Sequence, residues 1–265
     1  MQTYSVIRCE KGLCRDGDHE LIPEEPLLIR VNDRPYSVVM RTPGEEIPHA
    51  AGFCLGEGLA DTRSDFASIG FCKDMDPNVV EVTLKPERLE KIPDILERRG
   101  FVSQTSCGIC GKEMVKDLYQ VLLPAEQNFQ VDLDKIFDCI DQLSENQAYY
   151  SKTRGSHAAM LFNSKLDTLS FAEDVGRHNA LDKAIGKPLL DGTLKDAVMV
   201  VLSSRISYEL VQKTARARLP IMVSESRPTA LAVEMGRTLN MTLACTTRES
   251  ELILFCGEQR IIRKS

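Results

Sequence analysis

The chain has no tryptophan, only 6% aromatic residues and no surplus of positive charge: 33 lysines and arginines face 39 aspartates and glutamates, for a net charge of −6. That deficit argues against non-specific binding to nucleic acid or to an anionic membrane. Without a basic patch, and with no aromatic stacking platform evident, an RNA-directed role is disfavoured. Any anionic ligand must be held by local chemistry. Long apolar runs are absent too. The longest aliphatic stretch, "AVMVVL", is too short to cross a bilayer, and the opening "MQTYSVIRCEKG" has no apolar core of signal-peptide length. These absences predict a soluble, cytoplasmic protein with neither nucleic acid nor membrane as partner. Cysteine occurs nine times in 265 residues, an odd number in a chain too large to need staples. No disulfide framework is expected, and a reducing compartment fits.

What is present is globular: 43% apolar and 27% charged residues, enough for one large or two ordinary domains. "LLIRV" and "YSVVMRT" around "NDRP" read as a hairpin, and Pro43-Gly44 ends its second strand. A helix over residues 45–59 is weakened by Pro48, Gly52, Gly56 and Gly58. Strands "ASIGFC" and "VVEVTL" and a charged helix from Pro86 follow. After about Asn128 strands alternate with helices of ten or so residues, which implies parallel pairing and a layered α/β sheet. The predicted architecture is α/β, with a smaller mixed α+β domain over residues 1–127 and a three-layer domain over 128–265.

"SCGICGK" places Cys107 and Cys110 where a loop enters the helical pattern of Met114, Leu118 and Val121. A cysteine at a helix start feels the positive end of the macrodipole, and Lys112 adds charge, so its thiolate forms more readily than that of a free cysteine. Structural zinc would need two more ligands; Cys9 and Cys14 are loosely spaced for that and no second C-x-x-C exists. A thioredoxin-like pair fits the local context but not the position deep in the chain. Burial as plain core residues fits the flanking glycines poorly. A reactive nucleophile or sulfur carrier is the fourth reading, and no structural metal is expected.

Two further constellations stand out. "FAEDVGRHNALDKAIG" crowds Glu173, Asp174, Arg177, His178, Asn179, Asp182 and Lys183 between a strand and a helix; caps and a surface row at i, i+3 and i+4 would account for some of them. The later strands run into "SSRIS", "SESRPT" and "TTRES". Ligands settle beyond the carboxyl ends of parallel strands, so Arg205, Ser207, Ser226, Arg227 and Arg248 would share one anion-binding edge. The element order matches cytidine deaminases, but the H-x-E and P-C-x-x-C zinc signatures are replaced by His178-Asn179-Ala180 and Ser203-Ser204-Arg205-Ile206-Ser207. The fold is expected to be deaminase-like and the chemistry not.

From "EEPLLIRVNDRPYSVVMRTPGEE" through "SCGICGK" and "EDVGRHNALDKAIG" to "SESRPTALAVEMG", the chain resembles the formate dehydrogenase accessory sulfurtransferases of the FdhD type. The resemblance implies a cytoplasmic homodimer with a cytidine-deaminase-like domain. Such a protein takes a persulfide sulfur from a cysteine desulfurase and passes it to the molybdenum bis(molybdopterin guanine dinucleotide) cofactor, a bound substrate here, before that cofactor enters formate dehydrogenase. Cys107 matches the persulfide-bearing residue, with Cys110 as a companion that relays sulfur, resolves the persulfide or only tunes its neighbour. The cofactor-binding stretch maps to Thr246, Thr247, Arg248, Glu249, Ser250 and Glu251. His178 and Asp182 would orient a guanine edge, shuttle a proton or cap a helix. The chain departs from the family pattern where Arg154 replaces a glycine of T-G-G-x-H-A-A, Ser204 the glycine of G-R, Arg227 the alanine of S-A-P-T, and Cys245-Thr246 a G-F pair. The rival readings are a cofactor-binding chaperone without sulfur chemistry and a zinc-dependent hydrolase or deaminase.

Overall fold

The computed structural model describes residues 1–71, 76–92, 122–126, 129–247 and 251–262. The expected helix after Cys110 and the body of the helix from Pro86 lie outside these residues. Helices are numbered among the described ones.

The second half of the chain is organised by strands apolar on both faces. β8 (His157–Asn163), β9 (Thr168–Asp174), β10 (Ala197–Leu202), β11 (Ile221–Ser224), β12 (Thr242–Thr246) and β13 (Leu252–Cys256) form one sheet in the order β13-β12-β11-β10-β8-β9. β10, β11 and β12 are parallel, with Leu202, Ser224 and Cys245 in register; β8, β9 and β13 run antiparallel to their neighbours. Parallel strands covered on both sides read as continuous apolar runs, as "AVMVVL" and "IMVS" do. The period-two alternation of side chains then divides the core. Met160, Phe162, Met199, Val201 and Val223 meet Ile136, Cys139, Ile140 and Leu143 of α3 (Leu133–Asn146). Ala159, Leu161, Val200, Leu202 and Met222 face the opposite layer, built from α5 (Arg177–Asp191), α6 (Tyr208–Arg216) and α7 (Ala230–Thr238). The short α4 (Ala148–Thr153) follows α3, and the two-residue strand β7 (Val131–Asp132) leads into α3.

The first half supplies a four-stranded sheet of β3 (Glu25–Val31), β4 (Arg34–Arg41), β5 (Phe66–Phe71) and β6 (Val79–Leu84) in the order β4-β3-β6-β5, then the turn-length α2 (Pro86–Leu89). The hairpin read around "NDRP" is there, its turn residues Asn32 and Asp33 taking φ of 48° and 62°. α1 (Glu46–Gly56) is helical despite its glycines. A Cβ on Gly52 would lie 1.9 Å from the Asp182 carbonyl oxygen, and one on Gly186 1.7 Å from that of Pro48. The glycines that weaken the helix on propensity are what let α1 and α5 touch backbone to backbone.

Residues ahead of this sheet, unassigned from sequence, form a separate two-stranded hairpin of β1 (Gln2–Glu10) and β2 (Leu13–Leu21), with Cys9 opposite Cys14 and β2 against α4. The two are joined by a disulfide across five residues of sequence. It is one local clip on an exposed hairpin rather than a disulfide framework, and it takes Cys9 and Cys14 out of the disfavoured zinc reading. No helix among the described residues is long and apolar enough to cross a membrane.

Candidate functional site

The motif rich in ionisable residues divides by helical face. Asn179, Lys183 and Gly186 share the face of α5 turned to the first sheet and α1, and both polar side chains are buried there. Lys183 Nζ lies 2.7 Å from Asp174 Oδ2 and donates to the Thr42 carbonyl at 2.7 Å. The Thr42 amide donates to Asp174 Oδ2, Val175 donates back to Thr42 Oγ1, and Asn179 Nδ2 donates to Met40 O at 2.7 Å. Asp174 is 0% exposed and Lys183 2%. This network locks "MRT" of the first half onto "EDVGRHNALDK" of the second. The expected surface row is therefore a buried one. Nor does an Asn179 or Asp174 side chain act as the helix N-cap residue; that position is Gly176, whose amide donates to Asp174 Oδ1.

Asp182 also departs from expectation. It is 2% exposed and paired with Lys213 at 2.9 Å; burial, opposed by that lysine, pushes its carboxyl up. It is thus a structural partner and is closed off from a guanine edge. His178 is more open: its Nε2 lies 2.6 Å from Glu209 Oε2, with the side chains 29% and 37% exposed. The imidazole hydrogen bond holds the Glu209 carboxyl below its ordinary range, against the upward pull of burial. This pair joins the starts of α5 and α6, where a deaminase would hold zinc. Ala180, 1% exposed, stands in place of the general-base glutamate. The donors there are one imidazole and one carboxylate already bonded to each other, a poor match to a three-ligand catalytic zinc.

Beyond the carboxyl ends of β10, β11 and β12 lie the described members of the expected edge. Ser203, Ser204, Arg205 and Ser207 follow β10, with Ser207 at the N-cap of α6. Ser226 and Arg227 follow β11, and Thr246 ends β12 with Thr247 beside it. The loops are cross-tied: Ser224 Oγ donates to Ser204 O, Ser226 N to Ser224 Oγ, Glu225 N to Leu202 O and Thr229 N to Ile206 O. Thr247 N donates to Glu251 O at 2.8 Å. The Arg205 and Arg227 side chains are exposed, and Arg227 Nη1 lies 2.9 Å from Cys245 Sγ. At the same edge His157 is held below its ordinary titration range, first by burial and then by the charges of Arg177, His178 and Arg205. Arg177 and Arg205, whose charges reach His157, give this edge of an acidic protein a positive character suited to phosphate oxygens. Arg248, Glu249 and Ser250 lie outside the described residues, as do Cys107 and Cys110.

Sequence reasoning missed the cavity beside this edge. It has a volume of about 220 Å³ and is lined by Gln147, Tyr150, Arg154, Gly155, Ser156, His157, Ser203 and Glu225. Its frame is Glu173: the carboxylate accepts from the amides of Tyr149 and Tyr150 at 2.8 and 3.0 Å and from Ser156 Oγ at 2.7 Å. The signal was the "AED" at the end of β9, read together with its neighbours rather than as the brace of a turn 24 residues upstream.

Residues 22–262 match the FdhD/NarQ family model. The chain belongs to the FdhD/NarQ family. Among its relatives are proteins named sulfur carrier protein FdhD: one from Streptomyces coelicolor, 34% identical over 97% of this chain and 94% of that one, and one from Sulfurisphaera tokodaii, 34% identical over 92% of each. Another, from Mycobacterium tuberculosis, is 35% identical over 91% of each. The fold resembles the crystal structure of a formate dehydrogenase accessory protein from Desulfotalea psychrophila, with a TM-score of 0.78 and 23% identity over 98% of this FdhD/NarQ chain and 99% of the other. At that identity the likeness speaks for the fold.

Proposed function

We propose that this protein is a cytoplasmic, homodimeric sulfurtransferase that carries sulfur on Cys107 to the molybdenum bis(molybdopterin guanine dinucleotide) cofactor, a substrate destined for formate dehydrogenase. Membership of a family whose relatives are named sulfur carriers supports the reaction class. The single structural observation that carries the reading is the carboxyl edge of β10, β11 and β12, where Ser203, Arg205, Ser226 and Arg227 follow the parallel strands and the charges of Arg177 and Arg205 reach His157. That edge offers cations and hydroxyls to a ligand with two pyrophosphates, on a protein whose net charge of −6 would repel it.

In the loading step the Cys107 thiolate attacks the outer, sulfane sulfur of a cysteine desulfurase persulfide. The donor's S–S bond breaks, the donor cysteine leaves as a thiolate, and a Cys107 persulfide forms with no net redox change. In delivery the Cys107 S–S bond breaks and the outer sulfur passes at the sulfide level to the cofactor at the sheet edge, with a second thiol attacking Cys107 Sγ to supply the two electrons. If Cys110 resolves the persulfide, its thiolate attacks Cys107 Sγ, a Cys107–Cys110 disulfide forms, and the outer sulfur leaves as sulfide. The two thiols supply the two electrons, and an external dithiol must restore them.

The test is intact mass after incubation with a cysteine desulfurase and free cysteine. We expect a gain of one sulfur, about 32 Da, on the peptide containing Cys107. It should be lost in Cys107→Ala and removed by a reductant. A Cys107→Ala protein that still takes up sulfur at the wild-type level would refute the assignment. A wild-type protein that binds cofactor but never gains sulfur would favour a chaperone.

A further inference from the structure

The β1–β2 hairpin is held at its tip by one covalent bond and by little else. Among the described residues its two strands pair only with each other, over nine residues each. At the base, β2 lies against α4 and Ile22 against Gly155. The tip has no such support: Ile7 and Leu13 are 70% and 80% exposed, and no residue of the hairpin belongs to either hydrophobic core. A two-stranded hairpin on its own is marginal in water. Local chemistry weakens this one further. Arg8 stands directly opposite Arg15, and like charges so placed are destabilising. The turn sets Lys11 and Gly12 at φ of 46° and 84°; glycine takes such angles freely, whereas a lysine Cβ meets steric resistance there.

Against these stands the bond between Cys9 and Cys14, which face each other one pair in from the turn. Its two ends are five residues apart, and in the chain-entropy model closing so short a loop favours the joined tip by roughly 30-fold. Cutting the bond removes the main restraint on the tip. The bond is also open to attack. Cys9 and Cys14 are both exposed, whereas the free cysteines among the described residues, Cys54, Cys139, Cys245 and Cys256, are all buried. Exposed disulfides are the labile, regulatory ones. Three cations, Arg8, Lys11 and Arg15, against the single carboxylate of Glu10, flank the pair along the chain and stabilise a sulfur that leaves as thiolate. The pair lies outside residues 22–262, the part that matches the family model.

We propose that Cys9–Cys14 is a thiol–disulfide exchange site for a dithiol protein of the C-x-x-C class, and that its redox state sets whether the tip of the β1–β2 hairpin is closed or open. The partner's thiolate attacks Sγ of one cysteine; the Cys9–Cys14 bond breaks, and the other cysteine leaves as a thiolate. The partner's second thiol then attacks its own sulfur in the mixed disulfide and frees the remaining cysteine. Two electrons and two protons pass to the hairpin, and the partner becomes the disulfide. Oxidised glutathione reverses the change: the Cys9–Cys14 bond forms again and two glutathione thiols are released. The site is independent of the sulfur chemistry proposed for Cys107.

The experiment treats the full chain with stoichiometric reduced thioredoxin and then with excess oxidised glutathione, and reads the Cys9 and Cys14 peptides by alkylation and mass. We expect both thiols to become free in the folded protein and to rejoin on oxidation. Hydrogen exchange of the β1 and β2 amides nearest the turn should be at least about 10-fold faster in the reduced form, within the factor of roughly 30 that loop closure supplies. The urea midpoint of the whole protein should stay level, which separates an exchange site from a staple that secures the fold. The double variant Cys9→Ser with Cys14→Ser should show the fast exchange in either buffer, at the wild-type midpoint. A bond that survives reduced thioredoxin in the folded protein, or hairpin exchange that ignores the state of the bond, would overturn the proposal. So would a double variant that unfolds at lower urea or fails to fold, since the bond would then be a structural staple.

Discussion

A methyl group added at Gly52 tests whether the two halves of the molecule are joined as rigidly as the α1–α5 seam implies. The new Cβ would sit 1.9 Å from the Asp182 carbonyl oxygen, about 1.5 Å inside the 3.4 Å at which ordinary contact begins. The obstacle is backbone within a helix and cannot swing aside. The helices must part, and with them the contacts of Ala50, Ala51, Ala184 and Ile185, each at most 1% exposed. Overpacking costs typically about 1–3 kcal/mol, and this site belongs at or above the top of that range because two main chains collide. Alanine's better helix propensity returns at most about 1 kcal/mol. The clash wins. Urea unfolding followed by circular dichroism should show Gly52→Ala less stable by about 2 kcal/mol or more. Gly186→Ala, aimed 1.7 Å from the Pro48 carbonyl oxygen, should behave alike. The double variant should lose less than the sum, since either methyl opens the same seam. Gly70→Ala, with nothing within 4 Å of the new Cβ, serves as the control and should stay within about 0.5 kcal/mol of wild type. A Gly52→Ala protein unfolding at the wild-type midpoint would refute the reasoning.

Two other outcomes follow from the buried charges. Lys183→Met removes the counter-ion of Asp174, which is 0% exposed, and leaves the Thr42 carbonyl without its donor; the loss should be about 3–5 kcal/mol by the same unfolding assay. A change under about 1 kcal/mol would show that the lock is not paired in solution. His157, held below 6.5 by burial and by Arg177, His178 and Arg205, favours the neutral form in the folded protein. Its contribution to stability is therefore present above about 6.5 and is lost as the pH falls through its lowered folded value. A proton NMR titration should place its midpoint below 6.5. A polyphosphate ligand at this edge should raise that midpoint by offsetting the Arg177 and Arg205 charges, and a midpoint unmoved by a bound polyphosphate ligand would put its phosphates elsewhere.

The architecture was legible because the strongest physical signals coincide with it. "AVMVVL" and "IMVS" are apolar without alternation, as strands buried on both faces must be, and the helices between them are long enough to return the chain for parallel pairing. The β1–β2 hairpin escaped because its cue is weak. Nearly all its residues are exposed, so no apolar face imposes a pattern, and "RCEKGLC" turns on Lys11 at φ 46° and Gly12 at φ 84° rather than on a familiar turn pair. β13 escaped because "LILFC" follows a polar stretch with no turn residue of its own.

The site was legible as a sheet edge and misread as a motif, and the reason lies in helical periodicity. Eleven residues from Glu173 to Lys183 carry seven polar side chains, which invites a single catalytic reading. On a helix they point in different directions. Asn179 and Lys183, four apart, lie on the face that meets α1 and the "MRT" segment and serve as the lock. Asp182 faces α6 and is spent on Lys213. Glu173, still in the strand, turns back to brace the α4 turn. Only Arg177 and His178, at the helix start, remain partly exposed towards a ligand. A motif dense in ionisable groups therefore reports first on the joint between two halves of a protein. The ligand-facing remainder is found by asking which of its members the joint leaves exposed, and those are Arg177 and His178 at the start of α5.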